Sequence, residues 1–329
     1  MIKEISKIIK QINGGLFCET ANTWIDPSKP VKRAIITHAH FDHLALGCDE
    51  YISSIETGLL LKLRLGEKIN IKTYDFEEIF YLNGVKFSLH PSGHILGASQ
   101  IKIVLGDESL LITGDFKRQK DNTCKKFQQI ESDFLICEST FGLPIFNWEP
   151  TNKIVDQISS WINESENSTS IIFCYSLGKA QRLLSEISNK KIRNVYIHKS
   201  INKINTIYKK LGIDMIETKT FDNNLNVSEF KNSLLLLPKS LNNRNFLKKF
   251  NKLQTGFASG WMSIRALRKR SGYDKGFAMS DHADWNALIK TILDSKAQRV
   301  LLNHGDGEYL AKYLGDKYNI CIDPINKVS

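Results

Sequence analysis

Val31-Lys32-Arg33-Ala34-Ile35-Ile36-Thr37 is a short apolar run that breaks abruptly into His38-Ala39-His40-Phe41-Asp42-His43. The first half reads as a buried strand. The second half places three imidazoles and a carboxylate on the loop that leaves it. Three such rings are not buried side by side without ligands, because their ring nitrogens must be satisfied. Grouped this tightly at a strand end they can reach one point, and imidazole with carboxylate suits zinc, manganese or iron.

The chain has eight histidines, and the others are placed informatively. His94 lies in Ser92-Gly93-His94-Ile95-Leu96-Gly97, just after a strand, with glycines that let backbone approach a crowded centre. Asp115 lies in Thr113-Gly114-Asp115 and His304 in Asn303-His304-Gly305, again past apolar runs. Singly each is an ordinary loop residue. Together, at successive strand ends, they complete a set for two metal ions. His90 and His198 fit no ligand pattern and read as structural.

At 329 residues, with 42% apolar and 24% charged side chains, the chain is long enough for two domains and apolar enough to bury a core. No run of about 18 uncharged apolar residues exists, so no transmembrane helix is expected. Residues 1–10 read as a short amphipathic helix without a secretory h-region or cleavage site. Six scattered cysteines, with no C-x-x-C pair, fit a reducing cytoplasm better than a disulfide scaffold or zinc ribbon. The net charge is +10, and it is uneven. Residues 150–279 carry 22 basic and 9 acidic side chains, whereas the remainder carries 23 and 26. A basic middle in a slightly acidic frame suggests a polyanion-binding face, or a lysine-rich surface of no specific use.

Strand-like runs at 72–80, 85–90, 100–105, 109–113 and 134–137, with a helix over 57–65, make a β-rich first part punctuated by Asn-Gly and Gly-Asp turns. From about Thr151 helix and strand alternate: helices over 152–161, 177–187 and 201–211, strands over 170–175 and 195–198. That alternation predicts a parallel α/β layer. A strand over 277–280, a helix over 285–293, a strand over 298–303 and a helix over 308–318 then follow. The fold class is therefore α/β, with an insertion over 150–277 inside a frame formed by 1–149 and 278–329.

H-x-H-x-D-H, G-H-x-x-G, T-G-D and the late His-Gly resemble the ligand motifs of the metallo-β-lactamase fold. Glu138-Ser139-Thr140-Phe141-Gly142, Ser280-Asp281-His282-Ala283-Asp284 and Asn303-His304-Gly305 resemble motifs A, B and C of its β-CASP nucleic-acid-processing branch. More narrowly, Leu177-Gly178-Lys179-Ala180-Gln181-Arg182 and Ala258-Ser259-Gly260-Trp261 are similar to the bacterial ligase-associated DNA exonuclease family. The resemblance spans nearly the whole chain. It implies an αββα sandwich carrying an inserted β-CASP domain. It further implies two divalent ions, zinc or manganese: one held by His38, His40 and His94, the other by Asp42, His43 and His304, with Asp115 bridging. Asp42 and Asp115 then count as catalytic as well as ligating. His282 is implied as the general acid for the leaving 3′ oxygen and Glu138 as the residue that orients its ring. Asp26 resembles the acid that braces the histidine loop. Phe41 occupies a non-ligand position often filled by a small polar residue.

Substrate contacts rest on the residues themselves. Ser176, Gly178 and Lys179 follow a strand and open a helix, where exposed N–H groups and a lysine form a phosphate site, unless the turn is an ordinary one. Arg265, Arg268, Lys269 and Arg270 form the densest basic stretch and either track a nucleic-acid backbone or make a plain solvated helix face. Trp148, Trp261 and Trp285 stack bases or, for at least two of them, fill cores. The function that the resemblance implies is a two-metal DNA nuclease, an exonuclease, acting in cytoplasmic DNA repair beside a ligase and a helicase; no membrane association is expected. The alternatives are RNA processing at the same site and an inactive nucleic-acid-binding scaffold. A small-molecule hydrolase of the same fold is disfavoured by the basic insertion and by motifs A and B.

Overall fold

The computed structural model describes residues 9–12, 15–164, 167–190, 192, 194–221, 227–305, 307–320 and 322–324. The chain divides into two compact units, one of residues 1–120, 124–144 and 282–329, the other of residues 121–123 and 145–281.

The first unit is an αββα sandwich. One six-stranded sheet runs Ile9–Ile12, Gly15–Cys18, Thr23–Ile25, Arg33–Ile35, Glu50–Ser54 and Ile71–Tyr74 in that order. The facing seven-stranded sheet runs Ile322–Pro324, Arg299–Asn303, Phe134–Glu138, Glu108–Ile112, Ser99–Leu105, Val85–Pro91 and Ile79–Leu82. Side chains alternate across a strand, and the two faces of this second sheet show it. Leu110, Ile112, Phe134 and Ile136 point inward, meeting Leu16, Ile25, Ile35 and Ile52 of the other sheet. Leu111, Leu135 and Cys137 point outward, under Trp285, Leu288 and Leu310 of the helices Trp285–Asp294 and Glu308–Tyr318. The helix Ile55–Leu65 covers the first sheet, capped by Ser54, whose hydroxyl accepts from the Thr57 amide.

Two expectations change here. The run expected over 72–80 is two strands in different sheets, interrupted at Glu77, whose φ is +70°. Of the expected N-terminal helix, residues 1–8 lie outside the described residues, and Ile9 and Lys10 belong to a strand paired antiparallel with Gly15–Cys18. Ladder pairing outweighs the helical periodicity of so short a segment.

The second unit is a six-stranded, wholly parallel sheet in the order Lys219–Phe221, Val195–His198, Leu234–Pro238, Thr169–Cys174, Leu253–Ala258 and Lys275–Phe277. Such sheets are covered on both faces, and their strands read as continuous apolar runs. Ile172, Cys174, Leu234 and Leu236 face the helices Thr151–Asn163, Lys179–Glu186 and Lys199–Lys210, while Ile171, Phe173, Leu235 and Leu237 face Phe230, Phe246 and Met262. The strand expected over 277–280 is Lys275–Phe277 and belongs to this sheet, registered beside Leu253–Ala258.

A buried charge network lies inside this unit. Arg182, about 1% exposed, donates from Nη1 to the Ser280 carbonyl (2.6 Å) and Asp281 Oδ1 (3.1 Å) and from Nη2 to Thr151 Oγ1 (2.7 Å). Its Nε faces Asp121 Oδ2 at 3.7 Å, and Lys179 Nζ pairs with Asp281 Oδ2 at 2.8 Å. Two cations and two carboxylates balance. Removing one partner strands the others in a poorly solvating interior. Arg182→Met is expected to lower the free energy of unfolding by about 3–5 kcal/mol, read as a lower urea midpoint at unchanged m. Pairing it with Asp121→Asn should cost less than the two separate losses added.

Candidate metal centre

The ends of Arg33–Ile35, Val85–Pro91, Glu108–Ile112 and Arg299–Asn303 each lead within a few residues into a candidate ligand, all in the first unit. Glu138, the last residue of Phe134–Glu138, is registered opposite Asn303, so that His304 is the next residue beside it. The two sheets meet at this edge, where the Ser99 amide donates to the Thr37 carbonyl at 2.9 Å. Gly93 and Gly97 are required by the crowding around His94. A Cβ on Gly93 would stand 2.3 Å from the Lys117 carbonyl oxygen, and one on Gly97 would stand 2.4 Å from the Thr57 nitrogen.

Three groups converge. His38, His40, His94 and Asp115 bring one ligand atom each within 4.8 Å of one another, as do His43, Asp115 and His304, and Asp115, Glu138 and His282. Asp115 belongs to all three. Its Oδ2 stands 3.5 Å from His38 Nε2, 3.4 Å from His43 Nε2, 3.7 Å from His94 Nε2 and 3.9 Å from His282 Nδ1. His38 Nε2 and His94 Nε2 lie 3.1 Å and 3.2 Å from His40 Nδ1. One ring nitrogen has a single proton or a single lone pair and cannot serve two such neighbours at once. Ring nitrogens sharing a tetrahedral ion with bonds of about 2.0–2.1 Å stand about 3.3 Å apart, so the donor set fits a divalent cation.

Hydrogen bonds behind the rings set their tautomers. Thr37 Oγ1 donates its only proton to the Asp26 carboxylate, so toward His38 Nδ1, 3.1 Å away, it accepts. His38 therefore carries its proton on Nδ1 and presents a bare Nε2 to the cluster. His43 Nδ1 donates to Asp26 Oδ2 at 2.8 Å, directing its Nε2 likewise. Asp26, expected to brace the loop, takes up this position and also accepts from the Thr37 amide at 2.8 Å. Burial holds His38 well below the usual imidazole range, with His43 and His94 adding to it. Burial works against charge on His43 and Asp115 too. Mutual attraction outweighs it: Asp115 and Asp26 push His43 well up, and His43 and His282 hold Asp115 well down.

Asp42 is placed differently from the other candidate ligands. Phe41–His43 is a 3-10 turn, in which residues three apart eclipse. His40 and His43 therefore share the inner face, and Asp42 is exposed. It lines the same cleft as His43, Thr113, Glu138 and His304 but lies outside the three groups.

His282 and Glu138 are brought together. His282 Nδ1 lies 2.9 Å from Glu138 Oε2, and the buried carboxylate also accepts from the Phe116 amide (2.6 Å) and the Thr140 hydroxyl (2.6 Å). Three donors hold it still. Ser139 fixes the His304 loop, its amide donating to the Asn303 and His304 carbonyls and its hydroxyl to the latter. Sequence reading passed over Thr37, Thr140 and Lys117. Lys117 is about 1% exposed, and its Nζ donates to the His94 carbonyl at 3.1 Å. Nothing in the sequence distinguishes it from a surface lysine.

The substrate candidates separate. Lys179 corrects the phosphate-site reading: it is about 3% exposed and paired with Asp281. The Gly178 amide donates to Gln181 Oε1 at 2.7 Å, and the half-buried Ser176 gives its carbonyl to Gln181 Nε2, so this turn is closed on itself. Arg265, Arg268, Lys269 and Arg270, on the helix Arg265–Arg270, are all exposed. Trp285 is core, Trp148 half-buried and Trp261 41% exposed. His90 bonds Ser88 and Gln128 and belongs to none of the three groups; His198 caps a helix of the second unit.

Asp26→Ala is expected to weaken metal binding by about 10–100-fold, the usual worth of a carboxylate behind a ligating histidine. Chelator competition on the purified protein measures this directly, and unchanged affinity would show that the ring is oriented without it.

No family model matches the chain. It is similar to a probable DNA ligase of Opitutus terrae, 29% identical over 307 residues, covering 92% of this chain and 30% of that protein. It is similar to endoribonuclease YSH1 of Yarrowia lipolytica, 33% identical over 120 residues, 35% of this chain and 14% of the relative. A third relative is cleavage and polyadenylation specificity factor subunit 3-I of Arabidopsis thaliana, 26% identical over 195 residues, 49% of this chain and 28% of the relative. The chain thus spans less than a third of the length of these curated relatives. A crystal structure of a protein of unknown function from Enterococcus faecalis V583 superposes with a TM-score of 0.58 at 14% identity, covering 83% of this chain and 75% of that one. Relatives, layered fold and strand-end motifs agree: the chain resembles the β-CASP branch of the metallo-β-lactamase fold.

Proposed function

We propose that the protein is a metal-dependent nuclease that hydrolyses phosphodiester bonds, with DNA as its substrate. The observation that carries this reading is the convergence of His38, His40, His43, His94, Asp115 and His304 beside the His282–Glu138 pair. In this reading His38, His40 and His94 hold one cation, His43 and His304 the other, and Asp115 both. Asp42 is proposed as a further ligand of the second from the cleft it shares with His43 and His304. When bound, zinc or manganese at these positions stabilises the charge that builds on the phosphoryl oxygens. Glu138 keeps the His282 proton on Nδ1 and so presents Nε2 to substrate. Protonated, that nitrogen gives its proton to the leaving 3′ oxygen, which departs as an alcohol rather than an alkoxide. Arg265, Arg268, Lys269 and Arg270 offer a backbone-tracking surface.

DNA is favoured because similarity to the relative named a probable DNA ligase runs through 92% of the chain, whereas similarity to the endoribonuclease of Yarrowia lipolytica stops at 35%. The finer reading we propose is a cytoplasmic exonuclease of the ligase-associated kind, working in repair beside a ligase and a helicase; only its ligase link draws on the relative named a probable DNA ligase. RNA processing is the second reading, favoured by the endoribonuclease relatives; an inactive scaffold would need the clustered residues to hold no metal.

Incubating metal-loaded protein with end-labelled single-stranded DNA, duplex DNA and RNA tests the reading, through the product ladder. Asp115→Ala is expected to lose metal and all cleavage while still binding DNA, and wild-type-like cleavage by it would sink the assignment. His282→Ala is expected to keep its metal yet lose about 10²–10⁴-fold in rate. That defect should shrink on a nitrophenyl phosphodiester, whose leaving group needs little protonation, and Glu138→Gln should show the same pattern more mildly. Loss of metal from His282→Ala would make it a ligand instead.

A further inference from the structure

Phe41 stands between His40 and Asp42 yet takes no part in the cluster. The 3-10 turn that sends His40 and His43 inward sends this side chain out. It is 62% exposed, and among the described residues it is the one phenylalanine of the chain's 17 found among the exposed large apolar side chains. Every other phenylalanine is buried or half-buried, so an exposed one in the ligand turn is not filling space.

Neither is it loose. The Arg64 guanidinium, on the last turn of the helix Ile55–Leu65, lies over the ring with its carbon 4.1 Å from the centroid. That contact is of cation–π type and leaves the rest of the ring to solvent. An aromatic face with a guanidinium beside it matches one chemistry well: a nucleobase, which stacks on any π surface, joined to a phosphate, which the cation attracts. Because Phe41 is covalently next to His40, a strand whose phosphate reaches the cluster has a neighbouring base within reach of this ring.

We propose that Phe41, steadied by Arg64, is the platform on which the base next to the scissile phosphate stacks, making it a substrate-positioning residue. The proposal rests on the nuclease reading above. Stacking is tolerant of base identity, so Phe41 orders the strand end without selecting its sequence.

A double-substitution cycle tests it: wild type and Phe41→Ala, each on an intact DNA strand and on strands carrying one abasic residue at successive positions from the cleaved end. On the intact strand Phe41→Ala should lose about 5- to 150-fold in kcat/KM, the worth of one base–aromatic stack, mostly through KM. At one abasic position wild type should fall by a similar factor and Phe41→Ala no further. Phe41→Tyr should restore activity, and metal content should be unchanged throughout. Losses that simply multiply at every position, or a Phe41→Ala enzyme as active as wild type, would overturn the proposal while leaving the nuclease reading standing. Loss of metal from Phe41→Ala would overturn it too, by making the ring a prop for the ligand turn. Absence of cleavage by metal-loaded wild type would overturn the nuclease reading, and this proposal with it.

Discussion

Asp115 is a buried carboxylate with four imidazoles within 3.9 Å of one of its oxygens. Such a group is costly to desolvate, and the rings around it repel one another if protonated together. The arrangement persists because opposite charge and the hydrogen bonds behind each ring divide the protons. Burial pushes His38 toward neutrality, two carboxylates push His43 toward the charged form, and the neighbouring rings favour the ionised form of Asp115. A divalent cation resolves the same crowding by taking the lone pairs the rings aim inward.

Everything nearby serves that constraint. Asp26 and Thr37 set two tautomers, Lys117 ties down the His94 carbonyl, and Ser139 ties down the carbonyls around His304. Glu138 is held by the Phe116 amide and the Thr140 hydroxyl before it meets His282. None of these partners need touch substrate. Their work is to remove rotational freedom from side chains whose chemistry depends on which nitrogen faces where.

The second unit shows a different use of buried charge. Lys179, Arg182, Asp121 and Asp281 neutralise one another beside the apolar core of the α/β unit. Exposed basic residues lie elsewhere in this unit, among them those on the helix Arg265–Arg270. Equal residue types therefore do unequal work, and net charge alone does not tell which lysine or arginine is available to a polyanion.

Most of the layered architecture was legible along the chain. Its signals are local: apolar runs ending in glycine turns, helix–strand alternation after Thr151, and ligand-type residues just past strand ends. The same locality exposed His38, His40, His94, Asp115 and His304, because donor side chains at strand ends have few other reasons to recur. What eluded a linear reading depends on which groups meet across long separations. Lys179 looks like a phosphate ligand until Asp281, about a hundred positions away, takes its charge. Asp42 looks equivalent to its histidine neighbours, and a three-residue turn leaves it exposed on the cleft beside them. The run at 72–80 reads as one strand until two sheets claim its halves. Periodicity and motif spacing are carried by neighbours in sequence, so one chain suffices to reveal them. Tautomer, burial and charge pairing are properties of a meeting, and only the folded chain decides who meets.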